Sequence, residues 1–144
     1  MKRRPLSSQA GFTLLEIMLV VAIIVLLLGA AAFKLLPMLD SAKITRAQTD
    51  ISAYNTALLT YSSNNRGRPP STAQGLDALV NRPTGDPKPQ SWVRLMESIT
   101  PDPWGNPYIY KYPTTHKTAS GYDLYSAGPD RIPDTEDDVV NWQQ

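Results

Sequence analysis

The 144-residue sequence contains no cysteine and a single histidine, His116. The first absence excludes disulfides, thiolate metal sites and cysteine nucleophiles. The second disfavours zinc, which draws on sulfur and imidazole ligands. No nucleophile is paired with a base, and His116 sits in a Thr-His-Lys turn that reads as solvated. The chain therefore reads as no enzyme. An excess of positive charge is also missing. Formal net charge is +1, and three of the 14 basic residues (Lys2, Arg3 and Arg4) precede Gly11. Past Gly11, the remaining 11 basic residues face 13 acidic ones, a balance of −2. Such a segment is not expected to bind nucleic acid.

Apolar length is present, all of it near the N-terminus. After the basic stretch MKRRPLSSQAG come Phe12-Thr-Leu-Leu-Glu16 and then 17 uncharged residues, Ile17–Phe33. As a helix that run covers ~26 Å, close to a hydrocarbon core of ~30 Å. Basic residues ahead of it stay cytoplasmic, which places the C-terminal part across the membrane. An ordinary secretory signal peptide shares the basic start, the apolar run and small residues such as Gly29–Ala32. The length of the run argues against that alternative. Glu16 argues harder, because a carboxylate at membrane depth costs about 2.5–3.5 kcal/mol and such residues are usually functional.

Beyond the apolar run, Gly29 and Pro37 weaken the helix, which is expected to resume after Pro37. Ile44, Ala47, Ile51, Tyr54, Leu58 and Tyr61 step by three and four, one apolar stripe on a helix that packs on a core. Ser62–Gly67 supplies a helix stop. Ser71-Thr-Ala-Gln74 reads as a capping box ahead of a short helix carrying Leu76, Leu79 and Val80. Asp102-Pro-Trp-Gly-Asn-Pro107 is dense in turn residues and reads as structural. Strands are predicted over Tyr108–Tyr112, Tyr122–Ser126 and Val139–Trp142.

Asp130, Asp134, Glu136, Asp137 and Asp138 crowd the segment between the last two strands. A solvated acidic loop is one reading. A calcium loop is the other. Calcium takes six to eight oxygen ligands, and the segment is stiffened by Pro129 and Pro133. An exported domain without disulfides also needs another staple. The spacing does not match an EF-hand, and spacing alone leaves both readings open.

Gly11-Phe12-Thr13-Leu14-Leu15-Glu16 resembles the processing site of type IV pilins and type II secretion pseudopilins. Gln74–Val80, Pro101–Tyr108, Ser126–Asp130 and Asp137-Asp138 recur in this order in the major pseudopilins of type II secretion. The resemblance implies an α+β, pilin-like fold: a long N-terminal α-helix packed on a small antiparallel β-sheet with a calcium-binding loop. It implies three parts: residues 1–11 as a cleaved leader, 12–37 as a transmembrane and assembly helix, and 38–144 as a periplasmic domain. A prepilin peptidase would cut between Gly11 and Phe12, and Phe12 would be N-methylated. Glu16 would meet a neighbouring subunit's N-terminal amine during assembly.

By the same resemblance, calcium would be held by the side chains of Asp130, Asp137 and Asp138. Ala127, Ile132 and Thr135 would add backbone carbonyls. The sequence departs from its relatives at Arg131 and Asp134, where they favour Gly. The implied function is that of the major structural subunit of a periplasmic filament that drives export of folded proteins. The filament would be a helical homo-oligomer, and its subunits would sit in inner-membrane lipid before assembly. Minor pseudopilins and an inner-membrane assembly platform are the further partners implied. The alternative is a type IV pilin for adhesion, motility or DNA uptake. It shares the N-terminus, but many such pilins close a C-terminal loop with a disulfide that this chain lacks.

Overall fold

The computed structural model describes residues 12–116 and 118–142, and for residues 31–37 the backbone alone. The expected leader, including Gly11, lies outside the described residues. One helix, α1, runs Leu14–Asn64. Its backbone is helical through both Gly29 and Pro37, so the expected break and resumption are absent. Proline removes one hydrogen bond and costs ~3 kcal/mol, which a helix with long flanks on both sides tolerates. Among the described residues no helical stretch is long and apolar enough to cross a membrane. The apolar run continues in sequence through residues 31–33, whose side chains lie outside the described set.

The chain divides into two compact units, the second being Asp40–Gln144. In that unit, α1 buries the predicted stripe. Ala47, Ile51, Tyr54, Leu58 and Tyr61 are all under 5% exposed, whereas Ile44 is 37% exposed and lies at the edge of the core. Opposite them stands a three-stranded antiparallel sheet of order β1-β2-β3, made of Ile109–Lys111, Asp123–Ser126 and Val139–Val140. Register pairs Tyr110 with Leu124 and Ser126 with Val139. Tyr108, Tyr110, Tyr122 and Leu124 supply the sheet side of the core. Tyr108 and Tyr110 suit this position because each ring packs while its hydroxyl reaches a partner. The Tyr110 hydroxyl donates to Pro70 O at 2.7 Å, and the Tyr108 hydroxyl to Asp50 Oδ2 at 2.9 Å.

The capping box forms at the residues expected, Ser71 and Gln74. Ser71 N donates to Gln74 Oε1 at 3.0 Å and Gln74 N to Ser71 Oγ at 3.3 Å. It closes a turn, and the short helix that follows is a 3-10 turn, Leu76–Leu79, with Leu76 and Leu79 buried. The exposed face of α1 carries hydroxyls at Thr45, Thr49, Ser52, Thr56 and Thr60. Each donates to the carbonyl four residues back, at 2.9–3.0 Å.

Candidate functional site: the acidic loop and the N-terminal segment

The acidic loop connects β2 to β3. It opens at Ala127, buried at 3% exposure, and at Gly128, whose φ of +64° is a conformation that favours glycine. A Cβ at Gly128 would stand 2.3 Å from the backbone oxygen of Asp137, so the two ends of the loop cross in contact. Arg131 and Asp134 also have positive φ, 63° and 67°. These are the two positions at which the resemblance drawn from the sequence implies glycine. The backbone keeps the left-handed form there despite the side chains.

Within the loop the polar atoms converge on Thr135. Its hydroxyl lies 3.0 Å from Ile132 O, 2.7 Å from Asp137 Oδ1 and 3.4 Å from Asp138 Oδ1. Asp130 joins this group through its backbone, its N–H donating to Asp137 Oδ2 at 3.1 Å. The Asp130 carboxylate accepts instead from Ile132 N at 2.8 Å. Among the described residues no three acidic or imidazole side chains stand together as a metal-binding group. The oxygens that meet are two carboxylates and a carbonyl around one hydroxyl. The Thr135 hydroxyl and the Asp130 N–H hold the Asp137 carboxyl below its ordinary range. Burial pushes Asp138 up, and the negative charges of Asp134 and Asp137 add to that.

Two outside anchors hold the loop. Asp134 accepts from the Tyr125 hydroxyl at 3.2 Å and lies 3.8 Å from Lys111 Nζ. Behind Gly128, its N–H donates to Ser126 Oγ at 3.2 Å, and the Ser126 hydroxyl donates to Asp102 Oδ2. Asp102 is 4% exposed, and its Oδ1 accepts from Trp104 N at 3.0 Å and Asn106 N at 2.8 Å. The Asp102–Pro107 turn is structural, as expected, but it also supports the acidic loop. Its density of turn residues reveals the turn and gives no sign of this second contact.

His116 differs from the solvated residue expected. Its ring stacks on Trp142 with centroids 4.0 Å apart, and Nδ1 is 3.2 Å from Asp123 Oδ2. The Asp123 side chain is fully buried. Burial pushes its carboxyl up, but hydrogen bonds from Thr114, Thr115 and His116 outweigh that and lower it to about 2. The ordinary value is 3.8, so the folded state holds its proton more weakly than the unfolded chain. The resulting stabilisation is complete above about pH 4 and is lost as pH falls toward 2. Nearly two units correspond to about 2–3 kcal/mol. Urea melts between pH 5 and pH 2 are expected to show that loss, and Asp123→Asn to flatten it. An equal pH slope in the variant would remove Asp123 as its source.

At the other end of the chain, Glu16 lies in the first turn of α1, exposed, with its N–H on Thr13 O at 3.1 Å and on the Thr13 hydroxyl at 3.3 Å. It has no ion-pair partner among the described residues. Residues 6–32 match the prokaryotic N-terminal methylation motif. Residues 34–142 match the family described as type II secretion system protein G. The chain belongs to the type II secretion system protein G family. Members named type II secretion system core protein G are similar over nearly their whole length. That of Pseudomonas aeruginosa is 42% identical, with 99% of each chain covered. That of Escherichia coli K12 is 40% identical, covering 96% of this chain and 94% of the relative. The crystal structure of a major pseudopilin from the type 2 secretion system of enterohaemorrhagic Escherichia coli matches with a TM-score of 0.67 at 36% identity. It covers 75% of this chain and 89% of that one. The expected α+β pilin-like architecture, a long helix on a small antiparallel sheet, is therefore that of the protein G family.

Proposed function

We propose that this chain is the major structural subunit of a type II secretion pseudopilus. The observation that carries the reading is one chain holding both a methylation motif and a protein G domain. In this reading residues 1–11 are removed by a prepilin peptidase between Gly11 and Phe12, and the Phe12 amine is methylated. The segment 12–37 holds the subunit in the inner membrane before assembly, with 38–144 in the periplasm. In lipid a carboxylate gains most from an adjacent cation, and the Phe12 amine of the next subunit supplies one for Glu16. Minor pseudopilins and an inner-membrane assembly platform complete the partner set. The role is structural, and export of folded proteins follows from filament growth. N-terminal mass spectrometry of the mature chain tests this, with a methylated Phe12 as the expected first residue. A mature chain beginning near Ala32 or Phe33 would sink it. Glu16→Ala is expected to leave insertion and processing intact and to impair filament assembly; a normal filament yield would refute the role of Glu16.

The acidic loop belongs to the same reading as a calcium site. Its donors are all oxygens, which fits calcium and disfavours softer metals. Asp130, Asp137 and Asp138 would serve through side chains, and Ala127, Ile132 and Thr135 through carbonyls. Support comes from the gathering of Ile132 O, Asp137 Oδ1 and Asp138 Oδ1 around the Thr135 hydroxyl. Bound calcium would supply positive charge between carboxylates that otherwise repel. Free ion at 100 times its dissociation constant stabilises by ~2.7 kcal/mol. A chelator is expected to lower the melting temperature of the detergent-solubilised chain, with Asp137→Ala mimicking it and magnesium rescuing poorly. An unchanged melt with no calcium heat in titration calorimetry would return the loop to the solvated reading.

A further inference from the structure

Immediately past α1 the chain turns at Arg66 and Gly67, with φ of 57° and 77°, and Gly67 N bonds back to Ser62 O at 2.8 Å. The turn opens a cleft of about 160 Å³ lined by Arg66, Arg68 and Lys88, with no carboxylate in its lining. All three cations are exposed, and among the described residues none has an ion-pair partner. Two of the neutral polar side chains lining the cleft are already committed. The Asn65 amide bonds Tyr61 O and Gln90 N, and the Gln74 amide bonds Ser71 N and Pro87 O. Beside the Gln90 side chain and the Tyr61 hydroxyl, what the cleft offers is positive charge.

The opposite charge lies further back along α1. Glu136, Asp137 and Asp138 share a surface with Ile44 and Gln48, whereas the basic cleft borders Tyr61 and Asn65. The helix rises ~20 Å from Gln48 to Tyr61. Four of the loop's five carboxylates are engaged inside their own subunit. Glu136 is exposed and has no hydrogen bond or ion pair among the described residues. A filament of identical subunits needs a heterologous contact, made by two different patches that complement each other.

We propose that the cleft of Arg66, Arg68 and Lys88 receives the acidic loop of a second copy of this chain, with Glu136 as the inserted anion. This rests on the filament-subunit reading above. Exposed ion pairs are individually weak, so the contact fixes direction and register while other surfaces carry adhesion. The absence of native cysteine gives a clean test. Full-length chain carrying Arg68→Cys and Glu136→Cys, expressed with its secretion machinery and mildly oxidised, is expected to give a ladder of cross-linked multimers. Arg68→Glu is expected to lower filament yield about tenfold, and adding Glu136→Arg to restore it to within about threefold. Lys88→Glu with Glu136→Lys is the second swap should Arg68→Glu fail to fold. Wild-type filaments without a cross-linked ladder, or reversals without effect, would overturn the contact and leave the filament reading standing. A wild-type chain that forms no filaments overturns both.

Discussion

Gly128→Ala is expected to destabilise the second compact unit by about 2–4 kcal/mol, from a backbone clash and a strained dihedral together. The new Cβ would lie 2.3 Å from Asp137 O and 2.9 Å from Asp137 C. Both are backbone atoms at the point where the loop closes, so neither turns away as a side-chain end would. The loop would have to open, separating Asp137 and Asp138 from the start of the segment. Gly105→Ala is the control. Gly105 has φ of +91° and nothing within 4 Å of its added Cβ, so it meets the dihedral cost alone, about 1–2 kcal/mol. Urea unfolding of both variants separates the contributions. Equal losses would show that the crossing at Gly128 has no energetic weight.

Asp102→Ala is expected to cost about 3 kcal/mol, with protease sensitivity appearing first between Ala127 and Asp138. Asp102 is buried and accepts three hydrogen bonds, and bonds to a charged acceptor are worth about 1.5–3 kcal/mol each when lost singly. Removing the carboxylate strands the N–H groups of Trp104 and Asn106 and frees the Ser126 hydroxyl. Ser126 in turn accepts from Gly128 N, so the loss passes into the acidic loop. Asp102→Asn keeps an acceptor for the two N–H groups and forfeits only the one facing Ser126. It is expected to cost less than half as much. Limited proteolysis with mass-spectrometric mapping locates the first cut. A first cut near Pro107 instead, with the loop resistant, would confine Asp102 to its own turn.

Much of this architecture is legible in the sequence because it rests on periodicity. The stripe Ala47–Tyr61 steps with the helix and is buried as read, and the alternating tyrosines mark β1. Ile44 continues the stripe but not the core, because periodicity gives a face and not its end. The predicted strands are longer than those formed, two to four residues each, since turn residues on both sides limit pairing. Contacts distant in sequence leave no such trace. Nothing around Asp123 foretells the hydroxyls of Thr114 and Thr115, or the stacking of His116 on Trp142. The members of the acidic loop are readable as a group, whereas their atoms are not. That Asp130 joins through its N–H and Asp134 turns to Lys111 depends on left-handed residues that composition conceals.

The hydroxyls along the exposed face of α1 bear on hydration. From Thr45 to Thr60 each donates its proton to the carbonyl one turn back. A surface of lysines or glutamates would resist losing its water, since every charge would need a new partner. Here the donors are satisfied before any contact is made, and what faces solvent is largely methyl groups and weak acceptors. Such a face stays soluble while exposed and sheds its water at low cost when covered. Stripping and rewetting it are then nearly balanced, so a covering surface can come and go there at little cost.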